Sequence, residues 1–186
     1  TLSGSTLYGT TSSGGSSNSG TVFQVNTDGT DYSVLKEFDG SDGLLPGAGL
    51  TLSGSTLYGT TANGGTFGGG TVFKVNTDGS DYTALKEFDR SDGAEPLAGL
   101  TLSGSTLYGT TQEGGSSGYG TVFQINTDGS GYTVLKNFTG SDGAYPTADL
   151  TLSGSTLYGT TSSGGNLGVG VVFSLSLQPL LTLALS

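Results

Sequence analysis

The sequence predicts an all-β fold, a β-propeller built from four-stranded antiparallel blades of about 50 residues, with four blades in the chain. Three observations predict it. The run TLSGSTLYGTT occurs without change at 1–11, 51–61, 101–111 and 151–161, which sets a fixed period. Glycine supplies 36 of the 186 residues, a composition poor for helices, where each glycine costs about 1 kcal/mol relative to alanine. Between the glycine-rich stretches lie short runs of Thr, Val, Leu, Tyr and Phe of strand length, each bounded by Gly, Asn, Asp or Pro.

Each period holds four such runs, here followed through the second copy. The first is Gly49-Leu50-Thr51-Leu52, closed by the turn Ser53-Gly54-Ser55. The second is Thr56-Leu57-Tyr58-Gly59-Thr60, followed by a Ser/Gly-rich loop that differs between copies. The third, Thr71-Val72-Phe73-Lys74-Val75, leads into Asn76-Thr77-Asp78-Gly79, an Asp-Gly hairpin signal. Tyr82-Thr83-Ala84-Leu85-Lys86-Glu87-Phe88 forms the fourth, and a loop with Ser-Asp-Gly and a proline then returns the chain to the next copy. In the last copy Leu180-Leu181-Thr182-Leu183-Ala184-Leu185 is a substitute fourth strand.

Alternation decides the architecture. Phe73 and Val75 share one face of the third strand while Val72 points to the other, and Leu85 opposes the Tyr82–Ala84 face of the fourth. A sheet apolar on both faces needs cover on both, which radial stacking of copies supplies. A β-solenoid is the runner-up, with shorter coils and no Thr-Asp-Gly hairpins. The chain reads as one repeat domain, 1–186, with blades 1–50, 51–100, 101–150 and 151–186, the last divergent. It can close alone as a four-bladed ring, belong to a longer array, or pair with a second copy as a homodimer that closes an eight-bladed ring. For a chain that stands alone the last arrangement is favoured, because near-identical blades make the two open faces complementary.

Composition narrows the function classes. Fifteen acids against five bases give a formal charge of −10, which disfavours nucleic acid and anionic membrane surfaces as partners. Cysteine, histidine, methionine and tryptophan are absent, so disulfides, thiolate chemistry and histidine bases or ligands are excluded. No run approaches the roughly 20 apolar residues that cross a bilayer, and direct membrane insertion is not expected. The chain opens inside the repeat pattern at Thr1 with no signal-like stretch and is expected to be a mature fragment.

The compound motif GSTLYGTT, then GG, then GTVF-x-[VI]-NTDG, then [VA]-LK-x-F closely resembles the GloVer tandem repeats found in bacteria such as Verrucomicrobia, and the likeness covers the whole chain. That resemblance implies a propeller-like array at an extracellular or cell-surface location, and brings no biochemical activity with it. The Tyr-Gly strand followed by Gly-Gly is also similar to the second strand of a Kelch blade.

Candidate sites fall into two groups. The acidic turns Asp39-Gly40-Ser41-Asp42-Gly43 and Asp89-Arg90-Ser91-Asp92-Gly93, with Asp142 in the third copy, offer oxygen ligands for calcium, against a reading as turns that bond their own backbone. Asn26-Thr27-Asp28-Gly29 and its copies are similar in outline to the Asp-box turns of sialidase propellers and read as structural. Tyr8, Tyr58, Tyr108 and Tyr158 recur once per blade and read as core between blades, with sugar stacking as the alternative. The copies differ mainly in the loops 12–19, 62–69, 112–119 and 162–169 and in 44–49, 94–99 and 144–149. Phe67, Glu95, Glu113, Tyr119 and Tyr145 are therefore the ligand-binding candidates, since rigid scaffolds carry recognition on their loops; neutral drift is the other account of the variation. Catalysis needs an asymmetric set of groups that near-identical blades do not supply, and a carbohydrate-active enzyme using Glu95 and Glu113 stands last. The expected function is an extracellular scaffold for binding or display of glycans or surface proteins, with a purely structural spacer, adhesin stalk or fibre-forming element as the alternative.

Overall fold

The computed structural model describes residues 1–177. Four antiparallel sheets follow one another along the chain. The first blade comprises β1 (Leu2–Ser3), β2 (Thr6–Thr11), β3 (Thr21–Asn26) and β4 (Ser33–Glu37). The second comprises β5 (Thr51–Ser53), β6 (Thr56–Thr61), β7 (Thr71–Asn76) and β8 (Thr83–Glu87), and the third β9 (Thr101–Ser103), β10 (Thr106–Thr111), β11 (Thr121–Asn126) and β12 (Thr133–Asn137). Among the described residues the fourth has three strands, β13 (Thr151–Ser153), β14 (Thr156–Thr160) and β15 (Val172–Ser176). The substitute strand expected at Leu180–Leu185 lies outside the described residues. Each strand pairs with its sequence neighbour, the meander of a propeller blade.

Cross-strand registry explains why the motif repeats as it does. In the second blade Leu57 faces Val75 and Gly59 faces Phe73 on one side, while Tyr58 faces Lys74 and Thr60 faces Val72 on the other. The fourth strand enters with a bulge: Val72 faces Lys86, but the next residue, Phe73, faces Ala84, so Leu85 is an extra residue. The same shift occurs in the first and third blades. A bulge of this kind lets neighbouring residues share a side, and Leu85 and Lys86 both serve the seam with the third blade.

The hydrophobic core lies between the blades. One cluster joins Val22 and Phe38 of the first blade to Leu50, Leu57, Phe73 and Val75 of the second. The next joins Tyr58, Val72 and Phe88 to Leu100, Leu107, Phe123 and Ile125. A third joins Tyr108, Val122 and Phe138 to Leu150 and Leu157. Edge-to-face aromatic pairs mark every seam, Phe38–Phe73, Phe88–Phe123 and Phe138–Phe173, with centroids 5.2, 5.3 and 5.1 Å apart. Tyr58 and Tyr108 are buried in these seams and Tyr8 packs against the first of them, as the core reading required, whereas Tyr158 on the fourth blade is 44% exposed. The buried hydroxyls of Thr61 and Thr71 pair across the strands at 2.9 Å and those of Thr111 and Thr121 at 2.8 Å, while the buried Thr110 hydroxyl has no hydrogen-bond partner.

The invariant strand glycine follows from this packing. Phe123 lies across Gly109, and a Cβ added there would sit 2.6 Å from the ring's Cζ and 2.9 Å from a methyl of Leu100. Overpacking of this kind costs about 2 kcal/mol. Gly109→Ala is therefore expected to lower unfolding stability by about that amount in urea titrations. An unchanged midpoint would show that the ring moves freely and that the seam is looser than described.

Candidate functional site at the blade seams

Strand direction places all the long connections at one end of the blades. The loop from β2 to β3 and the return from β4 to the next blade lie together, while the opposite end carries the short turns Ser3–Thr6 and Asn26–Ser33. The opposite end is fixed by side chains. The Asp28 carboxylate accepts from the Thr30 amide at 2.9 Å and the Thr30 hydroxyl at 2.7 Å, and the Asn26 amide donates to the Thr30 hydroxyl. Asp78 and Asp128 do the same with Ser80 and Ser130. The Ser or Thr hydroxyl beside each of these acids holds its carboxyl below the usual range.

The loop end is joined through the main chain. Leu44 of the first blade and Asn63 of the second exchange backbone hydrogen bonds of 2.8 and 3.0 Å, and the Gly65 amide donates to the Gly40 carbonyl. Ala94 with Glu113 and Ala144 with Ser163 repeat the bridge at the later seams. Sequence reasoning missed this stitching; its signal is the Gly-Gly pair following each variable dipeptide, which permits the close approach.

One position in each bridge is unusual. Leu45, Glu95 and Tyr145 all take φ near +60° (60°, 56° and 58°), a left-handed conformation that costs a non-glycine residue about 1–2 kcal/mol. At the other recurring left-handed positions at least one copy has glycine, as at Gly40 and Gly140 beside Arg90, or Gly131 beside Asp31 and Asp81. The amide of each residue donates to its own blade's loop, at Ser19, Gly69 or Tyr119, and its carbonyl accepts from the next blade, at Ala62, Gln112 or Ser162. Three residues are thus joined through the main chain at each seam: Ser19, Leu45 and Ala62; Gly69, Glu95 and Gln112; Tyr119, Tyr145 and Ser162.

The five candidates named from sequence distribute over this end. Tyr119 and Tyr145 are brought into an edge-to-face contact, with centroids 5.8 Å apart, and the Ser162 hydroxyl donates to the Tyr145 carbonyl. Glu95 and Glu113 reach one seam, where Glu113 faces Arg90 of the preceding blade at 3.8 Å. Phe67 stands apart, exposed at the tip of its loop. The residues at 62, 112 and 162 were not singled out, although they vary in the same way.

At the acidic turns each carboxylate is engaged within its own turn. Asp39 accepts from the amide and hydroxyl of Ser41 at 2.9 and 2.7 Å, and Asp42 accepts from the Asp39 amide while pairing with the Lys36 ammonium. Asp89, Asp92 and Lys86 repeat the set, and Asp142 pairs with Lys136 at 2.6 Å. The lysine also faces the next blade: Lys36 lies over the Tyr82 ring at 4.5 Å, and the Tyr82 hydroxyl donates to the Asp42 carbonyl at 2.7 Å. Lys86, Tyr132 and Asp92 match them. Burial, with the Asp42 or Asp92 charge nearby, holds both phenols well above their usual range. No group of three or more acidic side chains converges to hold a metal among the described residues.

The sequence matches the Gloeobacter/Verrucomicrobia repeat over residues 1–177, and the chain belongs to that family. No curated protein matches it. Among solved structures it is similar to a chain of a nidogen/laminin complex (22% identity, TM-score 0.57), covering 87% of this chain and 53% of that one. A TolB from Acinetobacter baumannii (15%, TM-score 0.52) is covered over 39% of its length and a putative TolB from Agrobacterium tumefaciens (11%, TM-score 0.56) over 62%, with 87% and 93% of this chain aligned. The chain therefore spans 39–62% of the length of these propeller proteins, and among the described residues its sheets do not close into a ring. At these identities the likeness shows the fold alone.

Lys136 is the main reason the Asp142 carboxyl titrates low, at about 2. A depressed folded pKa stabilises above the unfolded value near 3.9, and that contribution is lost as pH falls toward 2. Melting temperature is expected to drop through that window, and Asp142→Asn to shallow the drop. An identical acid profile in the variant would remove the Lys136–Asp142 ion pair from the third blade's energetics.

Proposed function

We propose that the chain is a non-catalytic scaffold, secreted or held at the cell surface, that binds or displays through the loop end of its blades, with carbohydrate as the ligand class. One observation carries the reading: at positions 45, 95 and 145 a strained left-handed backbone holds leucine, glutamate and tyrosine where glycine would relieve the strain. Strain retained at a loop surface is a mark of a functional position. The side chains differ from seam to seam on an otherwise repeated frame, which is the pattern of recognition on a rigid support. Tyr119 and Tyr145 offer an aromatic surface for the apolar face of a sugar ring, and Glu95, Gln112 and Glu113 at the neighbouring seam offer hydrogen-bond partners for hydroxyls. The surface location is the one that the family resemblance implies, and an acidic chain suits a neutral ligand better than an anionic one.

A glycan array probed with the chain tests this directly. Binding to at least one neutral glycan is expected, weakened about tenfold or more in Tyr119→Ala/Tyr145→Ala, with the melting temperature almost unchanged because these rings lie outside the three core clusters. Absence of binding across the array, or binding that survives the double substitution, would favour the spacer role.

A further inference from the structure

Of the seven asparagines in the chain only Asn63 is followed by glycine, and the fold fixes that glycine. Gly64 has a φ of +80°, and a Cβ there would lie 2.6 Å from the Gly40 carbonyl oxygen and 2.8 Å from the Leu44 amide nitrogen of the preceding blade, so no larger residue fits. Residue 63 itself is free to vary, with Ser13, Glu113 and Ser163 as its counterparts. Asn63 lies half-buried in the first seam with its main chain engaged. Its amide donates to the Leu44 carbonyl, and its carbonyl accepts from the Leu44 amide at 2.8 Å and the Thr61 hydroxyl at 3.0 Å. Its carboxamide, by contrast, makes no hydrogen bond to the described residues. The side chains of Asn18, Asn26, Asn76, Asn126 and Asn137 are all tied into loops or turns. The carboxylates of the Asp-Gly pairs are held too, as Asp28 is by Thr30 and Asp142 by Lys136.

We infer that Asn63-Gly64 is a site of spontaneous covalent modification, with water as the co-reactant, and that the modification loosens the first seam. The Gly64 nitrogen loses its proton and attacks Asn63 Cγ; the bond from Cγ to the carboxamide nitrogen breaks, and ammonia leaves with that proton, giving a cyclic imide. Water then opens the ring, at Cγ to give aspartate or at the main-chain carbonyl to give isoaspartate. The Leu44 amide and the Thr61 hydroxyl favour the first step, because both donate to the Asn63 carbonyl oxygen, where negative charge gathers as the Gly64 nitrogen is deprotonated. Glycine at 64 also leaves the attacking nitrogen unshielded by a side chain. Either product sets a carboxylate in the first seam, where Gly40 stands in place of Arg90, the residue that faces Glu113 in the second. The isoaspartyl product in addition routes the main chain through Cβ and lengthens it by one carbon. The carbonyl that bridges to Leu44 then leaves the main chain, and the bond from the Gly65 amide to the Gly40 carbonyl falls out of register. Charge and fastening thus change at this seam alone, since no other copy has asparagine there.

Incubating the folded chain in mildly alkaline buffer and mapping its peptides by mass spectrometry tests this. The carboxamide of Asn63 is expected to convert progressively to carboxylate while the other asparagines stay intact, with isoaspartate identified by electron-transfer fragmentation. The aged chain should melt about 2–4 °C below the fresh one, the shift that losing roughly one hydrogen bond produces in a domain of this size. Asn63→Ser installs the residue of the first and fourth copies, so it should fold as the parent does and keep its melting temperature through the same incubation. A folded chain whose Asn63 stays intact while a free peptide of residues 58–68 converts overturns the inference, because the bridge to Leu44 then holds the side chain away from the Gly64 nitrogen. Conversion with an unchanged melting temperature overturns the loosening of the seam, and an equal loss of stability in aged Asn63→Ser overturns its origin at this residue. None of these readouts depends on whether the loop end binds carbohydrate.

Discussion

Every sheet in this protein is apolar on both faces, and that constraint organises the rest. Phe73 and Val75 look one way while Tyr58, Val72 and Phe88 look the other, and each set is buried only by the neighbouring blade. A blade has no interior of its own; its core is shared with the copies on either side. Burying one such large side chain contributes about 1.5–3 kcal/mol, and each seam buries five to seven residues among its core members, so the seams carry the fold. Stability is then close to a sum over neighbours, as in other repeat proteins.

The two ends of the blades solve the joining problem differently, and this accounts for where the sequence is constant and where it varies. At the short-turn end, side chains make the bonds: Asn26, Asp28 and Thr30 hold one another, and their types recur with little change in the next two copies. At the loop end the bridges run through amides and carbonyls, as between Leu44 and Asn63 or Ala94 and Glu113. Main-chain bonds do not depend on the side chain, so identity there is free to change without unfastening the seam. A surface that tolerates change beside a frame that does not is the physical basis for placing recognition at that end.

Much of the architecture was legible in the residues. Alternation within Thr71–Val75 and the Asp-Gly turn fixed the third and fourth strands and showed that both faces needed cover. The bulge at Leu85 was not legible, because no residue type marks it and only registry against Val72 and Phe73 reveals the extra residue. The lysine that bridges blades was also hidden: Lys86 lies six residues from Asp92 in sequence, but its contact with Tyr132 comes from the next copy and exists only after stacking. At the loop end, sequence variation marked Glu95, Glu113, Tyr119 and Tyr145, while their grouping by seam depends on backbone bridges between blades that a linear reading does not show.

The most direct measurement is the folding of one blade alone. Residues 51–100, expressed without neighbours, should lack cooperative unfolding and amide protection at dilute concentration, because both faces of the sheet would meet water. A monomeric, cooperatively folded single blade would contradict the view that the seams hold this protein together.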